Sequence, residues 1–257
     1  MQLRFLGTGA AFCMSPDNFQ SNLLLTSPGG RRLLIDCGTD IRFALRHAGI
    51  AVAAVTDIYI SHLHADHVGG LEYMGFFNRF GTDRGPLPLY ICESIADALW
   101  GESLAAGMQV TSGHDSALAD YFDERKVAPD GHFVWEGMEM HLVPTRHVVG
   151  DKRVMHSYGL AFRMDGKSVY FTADTRYCYD DPVVRPYMDA ADVIFHDCET
   201  TDYVTGVHAH FDELAAMPAK IRRKTWLYHY DDGTLPDAKA AGFIGYVERG
   251  QQFDFSS

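Results

Sequence analysis

Apolar residues recur along the first half of the chain in short runs separated by turn residues. Gln2 to Leu6, Asn22 to Thr26 and Arg32 to Asp36 each read as a strand, with Pro28-Gly29-Gly30 as a hairpin signal between the last two. Thr39 to Ala48 has helical spacing and is stopped by Gly49. Asp57 to Ser61 follows as a strand, His67 to about Phe80 as a helix, Leu87 to Cys92 as a strand and Glu93 to Ala106 as a helix. The second half carries more β pattern. Met138 to Thr145 and Tyr158 to Arg163 alternate or run apolar, and Asp165-Gly166 is a two-residue turn feeding Ser168 to Thr172. Pro182 to Ala190 and Phe211 to Met217 read as short helices, Asp192 to Phe195 and Thr225 to Tyr228 as strands. Two β-rich halves, each with helices, predict two sheets packed face to face with helices outside. That is an α+β, four-layer αββα sandwich, formed by residues 1–257 as one domain. Periodicity alone leaves a three-layer α/β fold open.

The strand-to-helix loop after Asp57–Ile60 holds the densest chemistry. His62-Leu63-His64-Ala65-Asp66-His67 packs three histidines and an aspartate into the pattern H-x-H-x-D-H. His62 and His64 are two residues apart, so in an extended segment they point to one side and can grip one ion. Asp66 and His67 occupy the turn and can face a second ion. Neutral imidazole and carboxylate suit zinc first, with manganese or iron as alternatives. Four residues do not complete two sites, so further donors must come from later in the chain. His147, Asp174 and His229 each follow an apolar strand run, a position where a rigid scaffold aims side chains at one point.

Composition narrows the partners. The chain has 257 residues with a net charge of −12. A protein that holds a long nucleic acid needs a basic footprint. Here the basic clusters are Arg31-Arg32, Lys152-Arg153 and Arg222-Arg223-Lys224, which read as solvated faces. A small anionic substrate fits better. Cys13, Cys37, Cys92, Cys178 and Cys198 are scattered and odd in number, which argues against a disulfide framework or a thiolate zinc site. Met1 to Gly7 runs straight into a strand, and no apolar stretch approaches the ~18 residues of a membrane span. The expectation is a cytoplasmic protein without a membrane partner. Phe76, Phe77 and Phe80 have the helical spacing of core residues, while Tyr177, Tyr179 and Tyr230 lie near donor-bearing loops and suit base stacking.

Together with Leu6-Gly7-Thr8-Gly9-Ala10-Ala11 and Leu34-Ile35-Asp36-Cys37-Gly38, the H-x-H-x-D-H string resembles the metallo-β-lactamase fold family of hydrolases over nearly the whole chain. The resemblance implies an αββα sandwich with two divalent ions between the sheets. On that mapping His62, His64 and His147 hold one ion, Asp66, His67 and His229 hold the other, and Asp174 bridges. Asp36 would orient a donor imidazole.

Within the family the chain is similar to the ribonuclease Z and cyclic-nucleotide phosphodiesterase branch. The segment Phe195-His196-Asp197-Cys198-Glu199-Thr200, followed by Val207-His208-Ala209-His210, matches that branch's acid and histidine positions, with Asp197 where Glu is usual. The resemblance implies that Asp66 orients or deprotonates the nucleophile and that His208, polarised by Asp197, protonates the leaving ribose oxygen. His210 is the alternative to His208, although it also falls at a helix N-cap. Asn18 and Ser21 match the branch's front loop, whose basic residues are missing here, as is a long inserted arm for transfer RNA. The expected function is a phosphodiesterase that cleaves a small phosphodiester, such as a cyclic nucleotide, with a metal-bridging hydroxide as nucleophile. Branch members form homodimers, which the resemblance implies here. The alternatives are a ribonuclease Z-like RNA 3′-processing endonuclease, a lactonase or other ester hydrolase, and, last, a non-catalytic metal-bound scaffold.

Overall fold

In the computed structural model, which describes residues 1–255, strand side chains sort to two faces with the period of two that a pleated strand imposes. The first sheet contains Gln252–Phe253 (β16), Gln2–Phe5 (β1), Leu23–Thr26 (β2), Arg32–Ile35 (β3), Asp57–Ile60 (β4), Leu87–Cys92 (β5) and Phe122–Val127 (β8), in that order. The second contains Gly245–Tyr246 (β15), Thr225–Tyr228 (β14), Val193–Asp197 (β13), Lys167–Phe171 (β12), Val154–Met164 (β11), Met138–Val149 (β10) and His132–Trp135 (β9). Val110–Thr111 (β6) and His114–Asp115 (β7) form a separate small hairpin.

Three buried clusters mark the three interfaces of four layers. Leu3, Phe5, Leu33, Ile35 and Tyr59 from the first sheet meet Phe171, Phe195 and Tyr228 from the second. Their alternating neighbours Leu24, Leu34, Ile58 and Ile60 face outward, under helices Ile41–His47 and Leu71–Gly81 and helical residues 93–108. On the far side Tyr170, Ile194 and Leu227 face helices Arg185–Ala190, Phe211–Ala215 and Ala219–Arg222. This is the expected αββα sandwich, and the three-layer alternative falls away. Aromatic rings join the sheets: Phe5 lies 5.1 Å from Phe195, and Phe133 stacks 4.2 Å from Tyr90.

Several element boundaries differ from the sequence expectation. The helix expected from His67 to Phe80 is two pieces, Ala65–Val68 and Leu71–Gly81, separated by Gly69-Gly70. Residues 99–104 of the helix after β5 widen into a π-helical turn. The helix at 182–190 begins at Arg185, that at 211–217 ends at Ala215, and that at 39–48 spans Ile41–His47. The strand expected to end at Thr145 continues to Val149, so His147 lies within β10 rather than beyond it. The strand β8 has no apolar run to announce it, because its sequence, Phe-Asp-Glu-Arg-Lys-Val, carries the charges that keep an edge strand from pairing with other chains.

Replacing Phe195 by Ala, between the sheets, should lower the stability by about 3–5 kcal/mol. Phe80→Ala, at a residue 65% exposed, should stay within roughly 0.5 kcal/mol. Urea unfolding of the two variants checks both values.

Candidate metal centre

The parallel strands β3 and β4, and β12, β13 and β14, all end at one rim of the sandwich. The residues that follow them supply nearly all of the candidate donors, as expected for a site at the carboxyl ends of parallel strands. His62 and His64 lie just beyond β4, and Asp66 and His67 in the short helix Ala65–Val68. Asp174 follows β12, Asp197 ends β13, and His229 follows β14.

Unusual backbone aims several of these residues. Asp36 after β3, Ala173 before Asp174, and His229 adopt left-handed φ values of 63°, 53° and 61°. Non-glycine residues take that conformation only when their surroundings enforce it. In β10 the pairing register slips between Arg146 and Val148, leaving His147 as the extra residue of a bulge. A bulge redirects a side chain without ending the strand, and His147 is fully buried.

The loop after β3 clamps the histidine string. Asp36 accepts hydrogen bonds from the Ser61 amide and hydroxyl, each at 2.8 Å, and its Oδ2 lies 2.8 Å from His67 Nδ1. The Cys37 amide donates to the His67 carbonyl at 2.7 Å, and the Gly70 amide returns a bond to Cys37 at 2.9 Å. Gly38 has to be glycine, since a Cβ there would stand 2.3 Å from the Asp66 carbonyl oxygen. Ser61 was not singled out in the sequence, although it directly precedes the first histidine. Asn18 and Ser21 serve the front loop itself: Asn18 Oδ1 accepts from the Thr8 amide at 3.1 Å and Ser21 donates to the Gly9 carbonyl at 3.0 Å.

Two donor sets result, and they share Asp174. In the first, His62 Nε2 and His147 Nε2 lie 3.2 and 3.0 Å from His64 Nδ1, and each lies 3.8 Å from Asp174 Oδ2. In the second, His67 Nε2 is 3.1 Å from both Asp66 Oδ2 and Asp174 Oδ2, and His229 Nε2 is 3.2 Å from Asp174 Oδ2. Within each set the ligand atoms lie within 4.8 Å of one another. All seven expected donors therefore come together.

The donor chemistry fits divalent cations. Both ring nitrogens of His229 and Oδ1 of Asp174 are buried without a hydrogen-bond partner. Each such group costs about 1–3 kcal/mol unless something satisfies it. Burial holds the His62 and His64 rings below the ordinary histidine value and pushes His147 down to about 4. These rings are neutral at pH 7, the form that donates a lone pair. His67 behaves oppositely. Burial opposes its proton, but the charges of Asp174, Asp66 and Asp36 hold its value well up. In return, Asp66 is drawn down to about 2 against the effect of burial, chiefly by His67.

His208 stands against this centre. Its Nδ1 lies 2.8 Å from Asp197 Oδ2 and 3.9 Å from Asp174 Oδ2. Asp197 is itself fixed by accepting the Thr175 amide at 2.9 Å. Burial disfavours a proton on His208, but Asp197, by charge and hydrogen bond, raises its pKa to about 10. His210 has a different place. It caps helix Phe211–Ala215, where it accepts from the Asp212 amide, and its Nε2 lies 3.0 Å from the Thr201 carbonyl. Of the two histidines, the geometry brings only His208 to the donor sets. Among the tyrosines, Tyr179 is buried and Tyr230 donates to the Val247 carbonyl at 2.9 Å, whereas Tyr177 lines an open cavity beside His208.

The fold and the two donor sets define a metal-dependent hydrolase of the metallo-β-lactamase fold. In the same fold class, the metallo-beta-lactamase fold protein YhfI of Bacillus subtilis superposes with a TM-score of 0.74 at 17% identity, covering 98% of both chains. The chain belongs to the Anti-Pycsar protein Apyc1 family, whose model matches residues 1–253. It is 34% identical over 256 residues to Anti-Pycsar protein Apyc1 of Paenibacillus harenae, covering 99% of this chain and 100% of that relative. It is 33% identical over 259 residues to Anti-Pycsar protein Apyc1 of Bacillus phage BSP38, covering 98% and 97% respectively.

Zinc at a hundredfold excess over its Kd should stabilise the folded chain by about 2.7 kcal/mol, or roughly 5–10 °C in Tm. Asp174→Ala, which touches both donor sets, should abolish most of that shift, while His141→Ala, on the outer part of β10, should leave it intact. Differential scanning calorimetry with and without zinc distinguishes the two.

Proposed function

We propose that this chain is a binuclear-metal-dependent phosphodiesterase that opens a 3′,5′-cyclic nucleotide. The observation that carries the reading is the His208–Asp197 pair, an acid held 2.8 Å from its carboxylate at the edge of two donor sets that share Asp174. His62, His64 and His147 would hold one ion and Asp66, His67 and His229 the other, with Asp174 common to both; zinc suits the donors best. Such ions, when bound, supply positive charge for the phosphate oxygens and make water acidic enough to attack near pH 7.

The chain's own residues complete the chemistry. Asp66, anchored against His67, orients the attacking water by accepting its hydrogen bond. Asp36 and Ser61 keep the His67 ring from turning. Asp197 holds the Nδ1 proton of His208, which leaves Nε2 to pass a proton to the departing ribose O3′. His210 is left as a cap. The Anti-Pycsar name of the relatives favours a cyclic nucleotide over an RNA end or a lactone. The net charge of −12 also disfavours a long nucleic acid. A cytoplasmic homodimer belongs to the same proposal: Cys13, Cys37, Cys92, Cys178 and Cys198 are all unpaired, which suits a reducing compartment. No helix among the described residues is long and apolar enough to cross a membrane.

Zinc- or manganese-loaded protein should convert 3′,5′-cyclic nucleotides to linear monophosphates, resolved by chromatography, and Asp66→Ala should not. His208→Ala should lower kcat by about 10²–10⁴-fold at unchanged metal content. Because the acid works only when protonated, the rate should fall as pH rises through the His208 pKa, and that alkaline limb should vanish in His208→Ala. Equal losses of metal and rate in His208→Ala would remove its role as the acid. A panel of cyclic nucleotides left intact would remove the substrate assignment.

A further inference from the structure

A cavity of about 480 Å³ opens beside His208, within the roughly 300–1,000 Å³ range of small-molecule sites. Arg146 and Arg176 line it, as do Tyr177 and Val204. Both arginines sit next to donor positions, Arg146 directly before His147 and Arg176 two residues after Asp174. The Arg176 amide donates to the Arg146 carbonyl at 3.2 Å, which ties the two segments together. Arg176 also leans over Gly206, its Nη2 lying 3.9 Å from where a Cβ would stand.

In a chain of net charge −12, these two guanidiniums have no hydrogen bond or ion pair among the described residues. Three carboxylates also line the cavity and none forms an ion pair with either arginine: Asp181 accepts the Val183 amide at 2.8 Å, Glu213 accepts the His210 amide at 3.0 Å, and Asp180 lies near Tyr177. Both arginines are exposed, so water meets their donors in the free protein, and a ligand entering the cleft would replace that water as the hydrogen-bond acceptor. On the proposed reading, the phosphate of a cyclic mononucleotide would be met by ions held in the donor sets, and the molecule has no second anion. What remains is the base, which would project from the ribose whose O3′ His208 is proposed to protonate. Guanidinium forks match the carbonyl oxygens and ring nitrogens of bases, and a tyrosine ring offers a plane for stacking.

We propose that this cavity is the nucleobase subsite, with Tyr177 stacking on the base and Arg146 and Arg176 donating to its acceptor edge. The proposal rests on the cyclic-nucleotide reading above. The test is steady-state kinetics of the zinc-loaded protein and its Arg176→Gln and Tyr177→Leu variants on cyclic GMP, cyclic UMP and bis(4-nitrophenyl) phosphate, a diester without a base. Each variant should raise KM for the cyclic nucleotides about tenfold or more, with kcat within about twofold and the aryl diester unaffected. Parallel losses on both kinds of substrate would place the arginine at the phosphate and overturn the proposal, as would KM values unchanged for both. If the parent protein cleaves the aryl diester but neither cyclic nucleotide, the cyclic-nucleotide reading fails first and this subsite falls with it.

Discussion

The Asp174 carboxylate is the constraint on which the rest of the structure depends. It is 1% exposed, and one of its oxygens has no hydrogen-bond partner. Burial opposes its charge, yet the His229 and His67 imidazoles hold its pKa well below the ordinary carboxylate range. A buried, ionised and half-satisfied carboxylate is costly unless positive charge sits beside it. Imidazoles from both halves of the chain converge on its Oδ2, within 3.1 to 3.8 Å for His62, His67, His147 and His229. The two sheets must therefore meet at this rim in one register, and the αββα packing is what brings them there.

The local backbone shows what that convergence demands. Asp36, Ala173 and His229 are held in left-handed conformations, and His147 is delivered by a bulge. Such strain persists only where the surroundings over-determine it. Here the surroundings are the inter-sheet core, with Phe5, Phe171, Phe195 and Tyr228 packed directly beneath the rim. Packing on one side of the rim and charge on the other are two parts of one design, since the core fixes strand ends that would otherwise let the five rings and two carboxylates of the donor sets drift apart.

Much of this was legible in the sequence, and the reasons are specific. Strands buried on both faces, such as Leu23–Thr26 and Asp57–Ile60, read as unbroken apolar runs, and the donors cluster as H-x-H-x-D-H because one loop supplies four of them. His147, Asp174 and His229 could be located because each ends an apolar run. The bulge at His147 was not legible, because bulges leave no compositional mark when the strand continues past them. The edge strand at Phe122–Val127 hid behind its protective charges. The choice between His208 and His210 needed three dimensions, since both flank Ala209 and only the fold shows which one meets Asp197. Arg146 and Arg176 gave no signal of their own, because a pair of arginines thirty positions apart becomes a pair only when their loops hydrogen-bond.

In the proposed function, one cation belongs to the neutral trio of histidines on one side of Asp174 and a second to the acid-rich set on the other. The most direct test is anomalous scattering at the zinc absorption edge from zinc-soaked crystals of the intact chain. Two peaks about 3.5–4 Å apart, with the Asp174 carboxylate between them, are the predicted result. A single peak, or peaks that leave Asp174 unliganded, would contradict the account.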